Sequence, residues 1–139
     1  MEEEQGKVPP PSALAIGICD LIYRDRATGK RFILGCFGAI NSAEFPTVHP
    51  ALGVYLDLTN GRGRVSLKVR IIDCDEEREP VWTIEQDIEF EDPRMIFELD
   101  YLIGGLNFPE PGEYRVQAFA NGEFLIERRL IVNKIGDGP

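Results

Sequence analysis

The chain has 139 residues, of which 43% are hydrophobic and 28% are charged, as in an ordinary globular protein. A chain of this length forms one domain and removes roughly two-thirds of its unfolded surface from water, so no disulfide or metal is needed to hold it. The formal net charge of −9 opposes binding to nucleic acid, because affinity for a phosphate backbone depends on Lys and Arg. These values exclude a wholly disordered chain and predict no nucleic-acid partner.

The two ends of the chain differ in composition from its body. Residues 1–12 are acidic and then proline-rich, which predicts a flexible lead, and residues 135–139 predict a flexible tail. The folded domain is therefore expected over residues 13–134. The first residues lack the basic start and apolar run of a secretory signal, and no apolar stretch nears the roughly 20 residues that span a bilayer. We expect a cytoplasmic protein without membrane contact.

Alternating runs along the domain predict short strands and no helix. Turn residues separate eight candidate strands: 13–24, 31–40, 52–58, 64–73, 81–90, 94–102, 113–119 and 124–132. In the middle strands, apolar side chains alternate cleanly with polar ones, so each of those strands should have one wet face. The pattern predicts an all-β fold, an antiparallel β-sandwich of about eight strands.

The first two strands flank a tight turn at Thr28-Gly29 and are apolar on both faces. Such a hairpin should be covered on both sides. If Ala27 faces Lys30, Cys19 and Cys36 become diagonal neighbours on one face of the hairpin. In the cytoplasm we expect this pair of thiols to stay reduced.

The last two strands flank Asn121-Gly122, one of the strongest hairpin signals. A two-residue turn would place Glu127 and Arg129 on the apolar face of the hairpin. We therefore predict a three-residue loop over residues 120–122, flanked by Phe119 and Glu123, with a bulge at the glycine. This register groups the apolar side chains of both strands: Tyr114, Val116, Ala118, Phe124, Ile126 and Leu130.

Asp20 is the first candidate for a functional residue, because it shares a predicted apolar face with Ile16, Ile18 and Ile22. A buried charge must be paired or protonated. Asp20 is either a site carboxylate or half of a structural ion pair with Lys30 or an arginine. The ion pair is favoured, because no other catalytic group accompanies Asp20 in the sequence.

His49 is the only histidine and lies in the long predicted loop 41–50. It could act as a general base or a metal ligand. A single histidine without a second His or a Cys nearby does not make a zinc site. His49-Pro50 is therefore interpreted as part of a turn.

The loop Asp73–Glu79 gathers acidic side chains around one cysteine. They are Asp73, Cys74, Asp75, Glu76, Glu77 and Glu79. Calcium favours clustered carboxylates, but the spacing matches no known calcium loop, and Arg78 interrupts it. A solvated loop is the favoured interpretation.

A second acidic group would arise if the fifth and sixth predicted strands were neighbours. Its members are Glu85, Asp87, Glu89, Glu98 and Asp100. Like charges directly opposite each other destabilise a strand pair. Either these strands are not paired, or a basic partner compensates, and Arg64, Lys68 and Arg70 on the fourth strand could supply the compensation.

Several short motifs of the chain resemble those of a family of uncharacterised bacterial proteins. They are Ile18-Cys19-Asp20, Thr28-Gly29-Lys30, Leu34-Gly35-Cys36-Phe37, Phe45-Pro46, Val54-Tyr55-Leu56 and Pro111-Gly112-Glu113-Tyr114. The resemblance covers Ala13 to Val132 and implies a bacterial cytoplasmic setting and a single β domain, but no activity. Residues 111–114 also resemble the start of a late strand in immunoglobulin-like and fibronectin-like sandwiches. Tyr114 could there form a tyrosine corner, although the usual Cys-Trp-Cys spacing is absent.

The sequence contains no catalytic motif, no metal-ligand spacing and no phosphate-binding loop. We therefore predict a non-enzymatic binding or assembly module that uses no cofactor and contacts a protein partner or copies of itself. The alternative is a metal-dependent binder or enzyme that uses Asp20, His49 or the Asp73–Glu79 loop.

Overall fold

The computed structural model describes residues 9–75 and 78–136. Most of the predicted lead, part of the predicted tail, and Glu76 and Glu77 of the acidic loop lie outside the described residues. Within the described ranges the chain forms nine strands and no helix. The strands are β1 (Ser12–Arg24), β2 (Arg31–Cys36), β3 (Ala39–Ser42), β4 (Thr47–Thr59), β5 (Gly63–Asp73), β6 (Trp82–Phe90), β7 (Phe97–Phe108), β8 (Gly112–Ala120) and β9 (Glu123–Lys134).

The strands form two sheets that pack face to face. The four-stranded sheet has the order β2-β1-β4-β7, and the five-stranded sheet has the order β3-β9-β8-β5-β6. Seven of these nine strands pair only with antiparallel neighbours. β9 pairs with β8 in antiparallel fashion and with β3 in parallel. The predicted all-β sandwich is confirmed, with β3 as the strand that the apolar pattern did not separate from its neighbour.

The core lies between the sheets and follows the period-two pattern. Inner residues of both sheets join one buried cluster, among them Leu52, Val54, Leu56 and Leu58 of β4 and Val65, Leu67, Val69 and Ile71 of β5. Because successive side chains of a strand point to opposite faces, the intervening residues of β5 lie on the outer side of their sheet. The predicted single wet face of the middle strands is confirmed.

Parts of two predicted connections are strand instead: the loop 41–50 and the segment between the sixth and seventh predicted strands. β4 begins at Thr47 and β7 continues to Phe108, and these extensions pair with each other, from Thr47 opposite Phe108 to Ala51 opposite Gly104. His49 therefore lies inside a strand opposite Leu106, and its interpretation as a turn residue is wrong. The segments contain Pro, Gly and Asn, so no alternation of side chains marks them. Only their mutual backbone pairing makes them strands.

The fifth and sixth predicted strands, β6 and β7, belong to different sheets. The acidic side chains of β6 are thus not opposite those of β7. The two edges meet through the Trp82 and Tyr101 rings, whose centroids are 5.6 Å apart, and through the Tyr101 hydroxyl, which donates to Gln86 Oε1 at 2.8 Å. Arg64 lies 3.6 Å from Asp87, so part of the predicted compensation exists on the β5 side.

The last hairpin has the two-residue turn that the apolar pattern argued against. Asn121 and Gly122 both have positive φ, 51° and 83°, and Ala120 pairs with Glu123, as in a type I′ turn. The predicted three-residue loop is wrong, and so is the inward position of Phe124, which pairs with Phe119 and is exposed. A bulge just beyond this pair brings Ile126 opposite Ala118 and Leu130 opposite Tyr114, as the predicted core grouping requires.

Tyr114 is fully buried, and its hydroxyl donates to the carbonyl of Glu110 at 2.6 Å. This is the contact expected of a tyrosine corner, in which the hydroxyl bonds backbone a few residues upstream. It ties the start of β8 to the end of the connection from β7.

Candidate functional site

The hairpin of β1 and β2 bends back over the outer face of the four-stranded sheet. β1 pairs with β4 only as far as Cys19, opposite Gly53. A straight continuation would carry Arg24 beside Val48. Instead Arg24 reaches Glu98 at 2.6 Å and Asp100 at 2.7 Å on β7. These carboxylates lie at the end of the sheet opposite to Val48. The hairpin must therefore fold back over the sheet for Arg24 to reach them.

The underside of the hairpin is held to the sheet by partly buried ion pairs. The side chain of Arg31 is 7% exposed and lies 2.8 Å from Asp57 and 3.2 Å from Asp100. Its guanidinium also lies over the ring of Tyr55, 5.3 Å from the centroid. Burial lowers the pKa of Arg31, but hydrogen bonds to Asp57 and Asp100 outweigh it, so the pKa rises above its usual value. Arg31 is thus a charged anchor for the hairpin.

The opposite face of the hairpin is apolar and exposed, and we call it the hairpin face. Leu21 pairs with Leu34 and Tyr23 pairs with Phe32. All four side chains are about half exposed, at 48%, 48%, 52% and 50% respectively. The rings of Tyr23 and Phe32 lie 6.0 Å apart. The expectation that both sides of this hairpin are covered is wrong, because the fold-back covers only the underside.

The turn of the hairpin is built on Asp25. Its carboxylate accepts hydrogen bonds from the backbone NH and the hydroxyl of Thr28, at 2.8 and 2.7 Å, and these bonds lower the pKa of Asp25. The NH of Asp25 donates to the carbonyl of Lys30. The loop between this pair therefore has four residues instead of two. The predicted pairing of Ala27 with Lys30 is wrong, and Cys19 lies directly opposite Cys36.

Two basic side chains mark the tip of the hairpin. Arg24 and Arg31 are used in the ion pairs below it, whereas Arg26 and Lys30 are exposed and pair with no carboxylate among residues 9–75 and 78–136. With the Asp25 carboxylate counted, the turn 25–30 carries one net positive charge, on a chain whose formal net charge is −9.

A cleft of about 310 Å³ lies at the base of the hairpin. Its wall brings together Asp20, Cys36, Asn41 and His49. The ring of His49 packs against Phe37, with centroids 5.9 Å apart. Two of the residues singled out from the sequence, Asp20 and His49, therefore share one site, together with a thiol that the sequence did not associate with them.

Asp20 differs from its predicted environment. Its side chain is exposed, and it forms no ion pair with Lys30 or an arginine within the described ranges. It turns away from the core because β1 leaves β4 after Cys19, and it lies against Gly35, whose φ is +71°. The buried structural ion pair predicted for Asp20 is wrong.

The acidic loop lies elsewhere: it follows β5 and contacts the start of β8. Asp73 is buried, accepts a hydrogen bond from the NH of Asp75 at 3.0 Å and lies 3.8 Å from Arg78. Asp75 in turn accepts a hydrogen bond from the NH of Glu113. The carboxylates of Asp73 and Asp75 therefore stabilise the conformation of the loop itself. In the part of the chain that the structure describes, no three His, Cys, Asp or Glu side chains are grouped as metal ligands.

The sequence did not identify the hairpin face or its ion-pair anchor. The only signal was the apolar character of both faces of the hairpin, which was interpreted as complete burial. Arg31 and Asp57 are 26 positions apart, and no local pattern links them. The described residues also contain no helix with the length and hydropathy that a bilayer crossing requires.

Comparison with known proteins adds a family but no activity. A family model described as "Family of unknown function (DUF6941)" matches residues 14–133. No curated protein matches the chain.

Proposed function

The chain belongs to this family of unknown function, and we propose that it is a non-enzymatic module that binds a protein partner on the hairpin face. The observation that carries the proposal is the cross-strand group of Leu21, Tyr23, Phe32 and Leu34, each about half exposed. Contiguous exposed apolar side chains mark interaction surfaces in soluble domains. Aromatic residues in such a group are the type that dominates binding energy at interfaces.

The anchored underside favours binding by a preformed surface. Arg31 contacts Asp57 and Asp100 while it packs on Tyr55. A hairpin held by these contacts loses little conformational freedom when a partner docks, so more of the contact energy appears as affinity.

The charges around the hairpin face indicate the kind of partner. Arg26 and Lys30 outnumber Asp25 and leave the turn with one net positive charge, and complementary charge steers encounter and suppresses wrong partners. We infer that the partner is another protein that presents an apolar segment flanked by acidic side chains. A second copy of this chain is the competing occupant.

The test compares a hairpin variant with a control of matched exposure. Phe32→Ser combined with Leu34→Ser removes the apolar centre, and Phe124→Ser changes an aromatic residue that is 53% exposed on the other sheet. A partner captured from source cells is purified, and its affinity for each variant is measured. We expect at least a tenfold loss for the hairpin variant and no change for Phe124→Ser.

Two further measurements test the role of the tip charges and distinguish a different protein from a second copy of this chain. Arg26→Glu with Lys30→Glu should weaken the complex, and added salt should weaken the wild-type complex more than that of the variant. Equal affinity of the wild type and the hairpin variant would refute the proposal. A wild-type dimer in light scattering that the hairpin variant abolishes would assign the face to a second copy instead.

The cleft supports a second candidate, a metal-dependent binder or enzyme, because it places Asp20 and His49 on one wall. An ion that binds only the folded protein raises the midpoint of thermal unfolding. If the cleft binds a divalent ion, one member of a calcium, magnesium, manganese and zinc panel should raise the midpoint of the wild type but not of His49→Ala. Absence of any shift across the panel would refute the metal version.

A further inference from the structure

Cys19 and Cys36 face each other directly across β1 and β2. The NH of Phe37 donates to the carbonyl of Ile18 at 3.1 Å. This bond joins the residue after Cys36 to the residue before Cys19, which makes the two cysteines a non-hydrogen-bonded pair of the antiparallel ladder. In such pairs the Cα atoms are about 4.5 Å apart and the side chains lie on the same face.

That spacing falls within the range of disulfides, whose Cα atoms are usually about 4.4–6.8 Å apart. The strand pairing therefore brings the two sulfurs within reach of a disulfide once the side chains rotate, with at most a small adjustment of the strands. The third cysteine, Cys74, lies directly after β5, a strand of the other sheet, and is exposed. It serves as an internal control.

We propose that Cys19 and Cys36 form a reversible disulfide that clamps the base of the β1–β2 hairpin under oxidising conditions. The site is independent of the partner proposed above, because it requires only the two strands that the pair joins.

The two thiols differ in access, which gives the reaction an order. Cys36 is exposed, whereas Cys19 is fully buried with its sulfur 3.7 Å from the carbonyl of Gly53. Burial raises the pKa of the Cys19 thiol, and the neighbouring Cys36 raises it further. Cys36 is therefore the thiol that meets an external oxidant, and Cys19 is the resolving thiol.

The oxidant is a small-molecule disulfide such as oxidised glutathione. The Cys36 thiol loses its proton and attacks one glutathione sulfur, which forms a mixed disulfide and releases one glutathione thiolate that takes up a proton. The Cys19 thiol then loses its proton and attacks the Cys36 sulfur, which releases the second glutathione in the same way. Two protein thiols are oxidised to one disulfide, and one oxidised glutathione is reduced to two glutathiones.

The experiment uses the full chain in mixtures of reduced and oxidised glutathione, with peptide mapping by mass spectrometry and thermal unfolding. For the wild type and Cys74→Ser we expect a linked Cys19–Cys36 peptide that dithiothreitol reverses. The linked form should unfold at a higher temperature by roughly 5 °C or more, because the bond closes a loop in the unfolded chain.

The single variants separate the two steps. Cys19→Ala should stop at a glutathione adduct on Cys36, and Cys36→Ala should leave Cys19 unmodified in the folded protein. A mixed disulfide that persists on Cys36 in Cys74→Ser, or linkage of either cysteine to Cys74 instead, would overturn the proposal. Because these measurements on Cys74→Ser keep both Cys19 and Cys36, they stand even where Cys19→Ala fails to fold.

Discussion

Arg31 on β2 and Asp57 on β4 are joined by two contacts of 2.8 Å, although β1 separates their strands in the sheet. The pair is possible only because the hairpin lies over the outer face of the sheet. The same guanidinium reaches Asp100 and covers Tyr55. Arg31 thus holds the hairpin face in position together with Arg24, which reaches Glu98 and Asp100.

Arg31→Met should destabilise the fold by about 2–4 kcal/mol, because it leaves the largely buried carboxylate of Asp57 without its cation. Arg31→Lys should cost less, since it keeps the charge but loses the planar double contact. Lys30→Met, at the exposed tip, should change the free energy of unfolding by less than about 0.5 kcal/mol. Urea unfolding measures the stability of all three variants. Equal free energies of unfolding for Arg31→Met and Lys30→Met would show that the ion pairs of Arg31 do not stabilise the fold.

Tyr101 should make the protein sensitive to alkali. Burial raises the pKa of its hydroxyl from 10.0 to about 12. A group whose pKa is higher in the folded state stabilises the fold fully below the unfolded pKa and loses that contribution as the pH rises through the folded value. We therefore expect the free energy of unfolding to fall between about pH 10 and pH 12.

The share of Tyr101 in this fall is measured with Tyr101→Phe. Its removal should flatten the alkaline part of the stability curve by about 2–3 kcal/mol. The pKa of Tyr114 is also raised by burial, so part of the slope should remain. An unchanged slope in Tyr101→Phe would contradict the assignment.

Tyr114→Phe should cost about 1–2 kcal/mol. The substitution removes the hydroxyl that donates to the carbonyl of Glu110 at 2.6 Å. A carbonyl that loses its donor without gaining water lowers the stability of the fold. Tyr23→Phe changes an exposed hydroxyl on the hairpin face and should have little effect on thermal unfolding. A loss of equal size in the two variants would mean that the tyrosine corner does not stabilise the fold.

Gly35→Ala should destabilise the protein more than Gly29→Ala. Both glycines have positive φ, +71° and +75°, a conformation that costs other residues roughly 1–2 kcal/mol. A Cβ on Gly29 meets nothing within 4 Å, whereas one on Gly35 would lie 2.4 Å from Asp20 Oδ2. The excess loss in Gly35→Ala should shrink when Asp20→Ala is added, and chemical unfolding of the three variants tests this directly.

The two hairpins show how far local pattern reaches. Asn121-Gly122 predicted the turn of β8 and β9, and the turn forms at those residues. The register beyond it depends on a bulge between Ala118 and Phe119, which no turn residue announces. At the first hairpin, Thr28-Gly29 marked the turn, but the hydrogen bonds of Asp25 lengthened the loop and shifted the pairing by two residues.

The candidate site was predictable only as separate residues. Asp20 and His49 stood out because of their type and rarity. That they share a cleft with Cys36 depends on β4 beginning at Thr47 and on β1 leaving it after Cys19. Both are backbone events without a side-chain signature.

The sequence alone determined that the chain is an all-β domain, where most strands lie and which side chains of the middle strands face the core. It could do so because apolar and polar residues alternate along a half-buried strand, and this period of two is visible in neighbouring positions of the sequence. Only the tertiary structure decided that the β1–β2 hairpin folds back, that Arg31 meets Asp57 and that one apolar face stays exposed. These features arise from contacts between residues far apart in the chain, whose energies appear only once the sheets have assembled.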